Sequence, residues 1–268
     1  MSPDPGAPLA VVTGGASGIG RLMAGMLLER GRRVVIWDVD RAGLGEAVAA
    51  FSRQGDVHGV HVDVRDPAAI ERAAAETLAR GPVDLLINNA GVVVGKPLHE
   101  HTTAEIVRTS EVNAVAPQLI TRAFLPGMMA AGRGHVCNVA SSAGLVANPK
   151  MTAYAASKWS LVGFSESLRV ELRQLGYDGL HVTTVCPYYI DTGMFDGVRS
   201  RIPILEPVAT ARAILRAVDG RKKLVTLPGY IYRLTRLSQG ILSIRGLDWF
   251  AGRVFGVYDT MSGWRGKA

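Results

Sequence analysis

A single doubly wound α/β domain, seven parallel strands with helices on both faces, is predicted by two observations: a regular strand–helix alternation, and a glycine-rich turn where the first strand meets the first helix. Short β-branched runs fall at about 9–13, 33–38, 57–62, 83–88, 134–140, 180–186 and 223–227. The segments between them are rich in Ala, Leu, Glu and Arg at helical spacing. One crossover presents Ile70, Ala73, Ala74 and Leu78 as its apolar face, with Pro67 in its first turn. Strands that alternate with helices in this way are parallel and covered on both sides. The last strand ends near residue 227, so residues 1–227 are expected to form the domain and residues 228–268 a C-terminal extension.

Composition excludes other classes. With 268 residues, 48% hydrophobic and 20% charged, the chain is neither disordered nor fibrous, and its size suffices for a core without disulfide or metal staples. Cys137 and Cys186 sit inside β-forming runs and read as small buried hydrophobes. A reducing, cytoplasmic setting is therefore expected. The opening MSPDPGAP lacks the basic start and apolar core of a signal peptide, and no run of 18 or more residues is apolar enough to span a bilayer. Charge is uneven: residues 220–268 hold nine of the 30 Lys and Arg but two of the 23 Asp and Glu, leaving 21 of each on the rest. A neutral body carries no nucleic-acid groove. A basic tail is free to seek a surface.

The strand LAVVT runs into Gly14-Gly15-Ala16-Ser17-Gly18-Ile19-Gly20 and then into a helix. Glycines let backbone approach a diphosphate, whose charge meets the free N–H groups and positive dipole of the helix start. Gly14, Ser17, Gly18, Ile19 and Gly20 are the candidate contacts. The second strand ends in Asp38, close to 20 residues on, where a carboxylate accepts both ribose hydroxyls of an adenosine and repels a 2′-phosphate. No basic residue stands at Ser17 or Val39 to offset that repulsion, so NAD is expected as cofactor, with Arg41 as the alternative reader of NADP. Asp63-Val64 after the third strand and Asn89-Ala90-Gly91 after the fourth lie at carboxyl strand ends, where open sheets bind ligands.

The chemistry points to three further residues. Tyr154 and Lys158 are spaced i, i+4 in a helix whose apolar face includes Leu161, Phe164 and Leu168. A phenol is a poor base at neutral pH, and an adjacent ammonium brings its pKa toward the working range. Ser141, ending the fifth strand, offers a hydroxyl to the same substrate oxygen. It stands 13 residues before Tyr154 and opens a Ser-x-x-Gly pattern ending at Gly144, with Ser142 as the alternative.

TGGASGIG, NNAG and the Ser141/Tyr154/Lys158 set, in this order, resemble the short-chain dehydrogenase/reductase family over residues 9–192. The resemblance implies a Rossmann-type NAD-binding catalytic domain and a tetrad completed by Asn113, which would hold a proton-relaying water through its kinked helix. It also implies that Lys158 holds the nicotinamide ribose, that Thr192 reaches the carboxamide and that Pro187 and Ile190 line the cofactor site. A homodimer or homotetramer is expected on the same basis. Pro187-Tyr188-Tyr189-Ile190-Asp191-Thr192-Gly193 replaces the family's usual Pro-Gly and is similar to the branch holding retinol dehydrogenase 10 and the type 11 and 13 17β-hydroxysteroid dehydrogenases. A substrate loop at about 188–206 is implied, with Tyr188 and Tyr189 beside an apolar substrate.

The expected function is thus reversible oxidation of a lipophilic alcohol, of steroid, retinoid or terpenoid type. An NADPH-linked carbonyl or 3-ketoacyl reductase is the alternative, and a catalytically silent nucleotide-binding regulator a second. His99 and His101 before a helix cap at Thr102 or Thr103 read as an exposed loop, and no metal is predicted. The extension mixes Tyr230, Leu237, Ile241, Ile244 and Trp249 with Arg233, Arg236 and Arg245. It is expected over the substrate site, at a subunit interface or peripherally on a membrane surface.

Overall fold

The computed structural model describes residues 6–254 and 256–266. Seven parallel strands form one sheet: β1 (Leu9–Thr13), β2 (Arg33–Asp38), β3 (Val57–His61), β4 (Val83–Asn88), β5 (Gly134–Val139), β6 (Leu180–Pro187) and β7 (Leu224–Leu227). Their order is β3-β2-β1-β4-β5-β6-β7, so the winding reverses between β1 and β4. That reversal opens a crevice at the carboxyl ends of the strands. Registers are regular: Val12 faces Ile36 on one side and Ile87 on the other, and Asn88 faces Asn138.

The crossovers divide between the faces. One face packs α1 (Gly18–Glu29), α2 (Arg41–Phe51) and α7 (Pro207–Asp219) through Met23, Leu27, Leu44, Ile214 and Leu215. The other packs α3 (Pro67–Leu78), α5 (Ala116–Ala130) and α6 (Thr152–Gln174) through Ile70, Ile120, Phe124, Met128 and Leu168. Helix α4 (Thr103–Ser110) runs into α5 through a π turn, Glu111–Val115, and Thr102 closes a capping box with Glu105 at its start.

One expected core position is displaced. Leu78 is 41% exposed, and Thr77 is buried in its place. The last turn of α3 lies against the indole of Trp37, whose Nε1 donates to Thr77 Oγ1 at 3.0 Å. A buried N–H requires an acceptor, and leucine has none. Both cysteines are free and buried, with burial pushing each thiol up to about 12. Beyond β7 come α8 (Tyr230–Ile241) and α9 (Ile244–Trp249), then a π turn, Phe250–Val254, and a 3-10 segment, Val257–Gly263. No described helix is long and apolar enough to cross a membrane.

Candidate active site

At the crevice, the turn after β1 is held by backbone. A side chain on Gly20 would collide with Gly14 O and Asn89 Nδ2, so this first helical turn closes onto the loop only as glycine. Asn89 Nδ2 donates to Thr13 O at 3.0 Å and Gly14 O at 3.1 Å, while Thr13 Oγ1 accepts from the N–H groups of Asn89 and Ala90, both at 3.0 Å. These bonds tie β1 to β4 across the crevice. Ser17, the N-cap of α1, makes no side-chain capping bond, leaving the helix start to an anion. Gly14, Ser17, Gly18 and Ile19 line the cleft; Gly20 lies behind them.

Asp38 faces the same cleft, locked by Ala16 N at 2.9 Å on one oxygen and Asp40 N at 3.0 Å on the other. Arg41 is turned away: its Nη2 donates to His61 Nδ1 at 3.1 Å, and His61 Nε2 donates to Val39 O at 3.1 Å. Asp63 is paired with Arg65, whose Nε lies 3.0 Å from both carboxylate oxygens, and this hydrogen bonding holds the Asp63 carboxyl below its usual range. Val64, Ala90, Gly91 and Arg108 complete that end. Arg65 and Arg108 were not anticipated; adjacency to Asp63-Val64 was the one available signal, for Arg65 alone.

The polar cluster lies where β5 and α6 meet. Tyr154 is 5% and Lys158 4% exposed, so neither is an ordinary surface residue of its helix. Gly144 approaches α6 so closely that a side chain would strike the Lys158 carbonyl. Ser141 and Ser142 both line the cleft. Ser141 is the one that acts on the Tyr154 phenol, partly opposing the burial that pushes it up to about 12.

Lys158 Nζ donates to Val139 O at 2.9 Å and sits 5.7 Å from the centre of the Tyr154 ring. Burial brings Lys158 down to about 8. Asn113 is fully buried in the π turn: its Oδ1 accepts from Val92 N at 2.9 Å, and its Nδ2 donates to Val92 O at 2.8 Å and Ser157 Oγ at 3.1 Å. Ser157 Oγ donates in turn to Tyr154 O at 2.7 Å. Asn113 therefore braces α6 from behind without lining the cleft, through a serine that sequence reading passed over.

The opposite wall comes from the segment after β6. Pro187, Tyr188, Tyr189, Ile190 and Thr192 all line the cleft. Thr260 Oγ1 donates to Val257 O at 2.9 Å, so it accepts the Tyr189 hydroxyl at 2.8 Å, and that hydroxyl accepts from Asn148 Nδ2 at 3.1 Å. The Tyr188 hydroxyl lies 2.8 Å from Ser200 Oγ, and the two tyrosine rings meet edge to face at 4.6 Å. Phe195 bridges Tyr189 and Tyr154 at 4.9 and 6.1 Å. The cleft encloses about 890 Å³.

These groups fit a dinucleotide: an anion seat bared at a helix start, a fixed carboxylate at the end of β2, and a phenol, amine and hydroxyl at the far end. The fold and cleft are those of a nucleotide-dependent oxidoreductase. A family model described as short chain dehydrogenase matches residues 8–203. The chain belongs to the short-chain dehydrogenase family and acts as an oxidoreductase on CH–OH groups. It is 35% identical to estradiol 17-beta-dehydrogenase 11 of Pongo abelii over 263 residues, 97% of this chain and 87% of that protein. It is 34% identical to retinol dehydrogenase 10-B of Danio rerio, over 85% of this chain and 76% of that one. Among solved structures, a Burkholderia phymatum short-chain dehydrogenase/reductase in complex with NAD superposes with TM-score 0.76 at 29% identity, covering 90% of this chain and 95% of its own. A metagenomic short-chain oxidoreductase in complex with NADP gives 0.68 at 35%, covering 83% and 98%.

Proposed function

We propose that this chain is an NAD-dependent dehydrogenase of lipophilic secondary or primary alcohols. The observation that carries the cofactor choice is the locked Asp38 carboxylate beside an Arg41 that is engaged by His61. A 2′-phosphate placed there would meet a fixed negative charge, while the neighbouring Arg41 is hydrogen-bonded to His61. Gly14, Ser17, Gly18 and Ile19 would hold the diphosphate, Asp63, Val64, Asn89, Ala90 and Gly91 the adenosine side, and Lys158, Pro187, Ile190 and Thr192 the nicotinamide side. When bound, the nicotinamide supplies the hydride acceptor.

The chain's own residues manage the proton. Ser141 Oγ fixes the substrate oxygen, and Tyr154 Oη removes its proton. The Lys158 ammonium beside Tyr154 favours the phenolate, and an oxidised nicotinamide, when bound, would add positive charge in the same sense. Asn113 and Ser157 hold α6 against the loop after β4 at Val92 while this occurs. Tyr188, Tyr189 and Phe195 offer aromatic surface and exclude water. The similarity to relatives named as estradiol and retinol dehydrogenases supports a bulky apolar alcohol as substrate.

The domain is read as residues 1–227, with 228–268 an extension on the substrate side, and a homodimer or homotetramer belongs to the same proposal. The test is reduction of NAD and of NADP over a panel of steroid, retinoid and terpenoid alcohols. The expected result is turnover with NAD at a higher kcat/KM than with NADP. Preference for NADP with the same alcohols would reassign the cofactor, and activity confined to small polar alcohols would overturn the substrate class.

A further inference from the structure

The segment that ends the described chain returns to the main cleft. Beyond the 3-10 segment Val257–Gly263, Trp264 Nε1 donates to Met194 O at 3.1 Å and Arg265 N donates to Asp196 O at 2.8 Å. A side chain on Gly197 would strike Gly263 O, and one on Gly266 would strike Met194 O, so the two segments run together in close backbone contact. These anchors are separate from the bond between Tyr189 and Thr260.

Arg265 lines the cleft and is exposed. Among the described residues no ion pair engages it, not even with Asp196, to whose carbonyl its own N–H is bonded. The turn that holds it leads back to the helix start: Asp196 N donates to Gly193 O at 3.4 Å, and Thr192, one residue earlier, lies against α1, where a side-chain carbon on Gly18 would come within 3.8 Å of the Thr192 Cβ. Gly14, Ser17, Gly18 and Ile19 offer an anion N–H groups, one hydroxyl and the partial charge of a helix start, about half an elementary charge. The other cations of the cleft serve other places. Arg65 is paired with Asp63, Arg108 acts on the same carboxylate, and Lys158 is buried beside Tyr154. A diphosphate is doubly negative, and a guanidinium presents paired N–H donors that match phosphate oxygens.

We infer that Arg265 is a further cofactor-binding residue, closing the diphosphate seat from the side of the substrate loop. The inference rests on the proposed dehydrogenase reading and adds a full positive charge, from close to the end of the sequence, to a seat otherwise built from the glycine turn. A dinucleotide held there would join the glycine turn, the loop after β6 and the C-terminal segment through one anion.

The experiment is equilibrium binding, by fluorescence titration and calorimetry, of NADH, ADP-ribose and adenosine to the full chain and to Arg265→Gln and Arg265→Lys. The bond to Asp196 is made by the backbone of residue 265, so neither substitution removes that anchor. Arg265→Gln is expected to weaken NADH and ADP-ribose by about three- to tenfold, the range of a partly exposed charge-assisted contact, and to leave adenosine unchanged. Arg265→Lys should recover most of the loss, and the fall of NADH affinity with rising salt should be shallower in Arg265→Gln than in the wild type. Equal NADH affinity and equal salt dependence in wild type and Arg265→Gln would overturn the assignment, as would a loss for adenosine as large as that for NADH. A raised KM confined to alcohols that bear a carboxylate or phosphate, with NADH affinity unchanged, would also overturn it and give the cation to the substrate. Wild type that binds neither NADH nor ADP-ribose would instead fail the dehydrogenase reading itself, and the role of Arg265 with it.

Discussion

Residues 9–91 and residues 187–266 line the same cleft, yet they are held by different kinds of bond. On the nucleotide side Asp38 and Asn89 are fixed by backbone groups, Ala16 N and Asp40 N on Asp38, Thr13 O and Gly14 O on Asn89, beside the side-chain pairs Asp63–Arg65 and Arg41–His61. On the substrate side the partners are side chains meeting side chains, Tyr189 with Thr260 and Asn148, Tyr188 with Ser200, and Phe195 between two tyrosine rings. Backbone geometry at a strand end admits few residue types, whereas an aromatic wall tolerates many substitutions of similar volume. The difference explains why one side is written in motifs that backbone geometry demands and the other is not.

The hardest blow to that division falls at the seam, where Tyr154 serves both sides. Tyr154→Phe is expected to lower kcat by about 100- to 10,000-fold while leaving NAD affinity within a few-fold of wild type, measured by steady-state kinetics beside fluorescence titration. Turnover near the wild-type rate would remove the phenol from the mechanism.

A framework shared by both sides should respond to acid in a way that neither side does. Burial, with the charge of His181, holds His135 down to about 4, and its Nε2 donates to Thr183 Oγ1 at 2.8 Å. Its folded value lies below the ordinary one, so between about pH 6.5 and 4 the unfolded chain binds a proton that the folded chain refuses. Stability is lost across that window as pH falls, by about 3 kcal/mol from this group in full. Denaturant unfolding at a series of pH values should show a shallower slope in His135→Gln, which carries no titrating group; an unchanged slope would place the titration elsewhere.

On the nucleotide side alone, Asp38→Ser should move the ratio of kcat/KM values toward NADP by about 1–3 kcal/mol, roughly five- to 150-fold, because a fixed like charge is removed. Leaving KM for the alcohol unchanged would sharpen the contrast between the halves. The smallest effect is expected on the other side. Thr260→Val deletes the acceptor for Tyr189, costing about 1 kcal/mol of stability and raising KM for bulky alcohols without altering NAD affinity. A change in NAD affinity there would mean that the halves are not separable.

Much of the frame was readable from residue order. Strand positions were recovered to within a residue or two, because parallel strands covered on both faces need continuous β-branched runs and have no amphipathic alternative. That Gly14, Gly18, Asp38, Asn89, Ser141, Tyr154 and Lys158 meet at one cleft was readable, because each stands at or near a strand or helix end on the same edge of the sheet. Leu78 was misplaced because helical periodicity locates a stripe without knowing that Trp37 needs an acceptor from Thr77.

By itself, then, the order of residues determined the doubly wound sheet, the crevice between β1 and β4, and the polar groups at its lip, all of which follow from local pattern and from rules of chain connection. Only the tertiary structure decided the rest. It engaged Arg41 with His61, recruited Ser157 behind Asn113, and folded the helices after β7 against the Ser142–Asn148 loop. Those contacts join residues 20 to 94 positions apart, each through at least one side chain, and no periodicity records which distant partner a side chain will find.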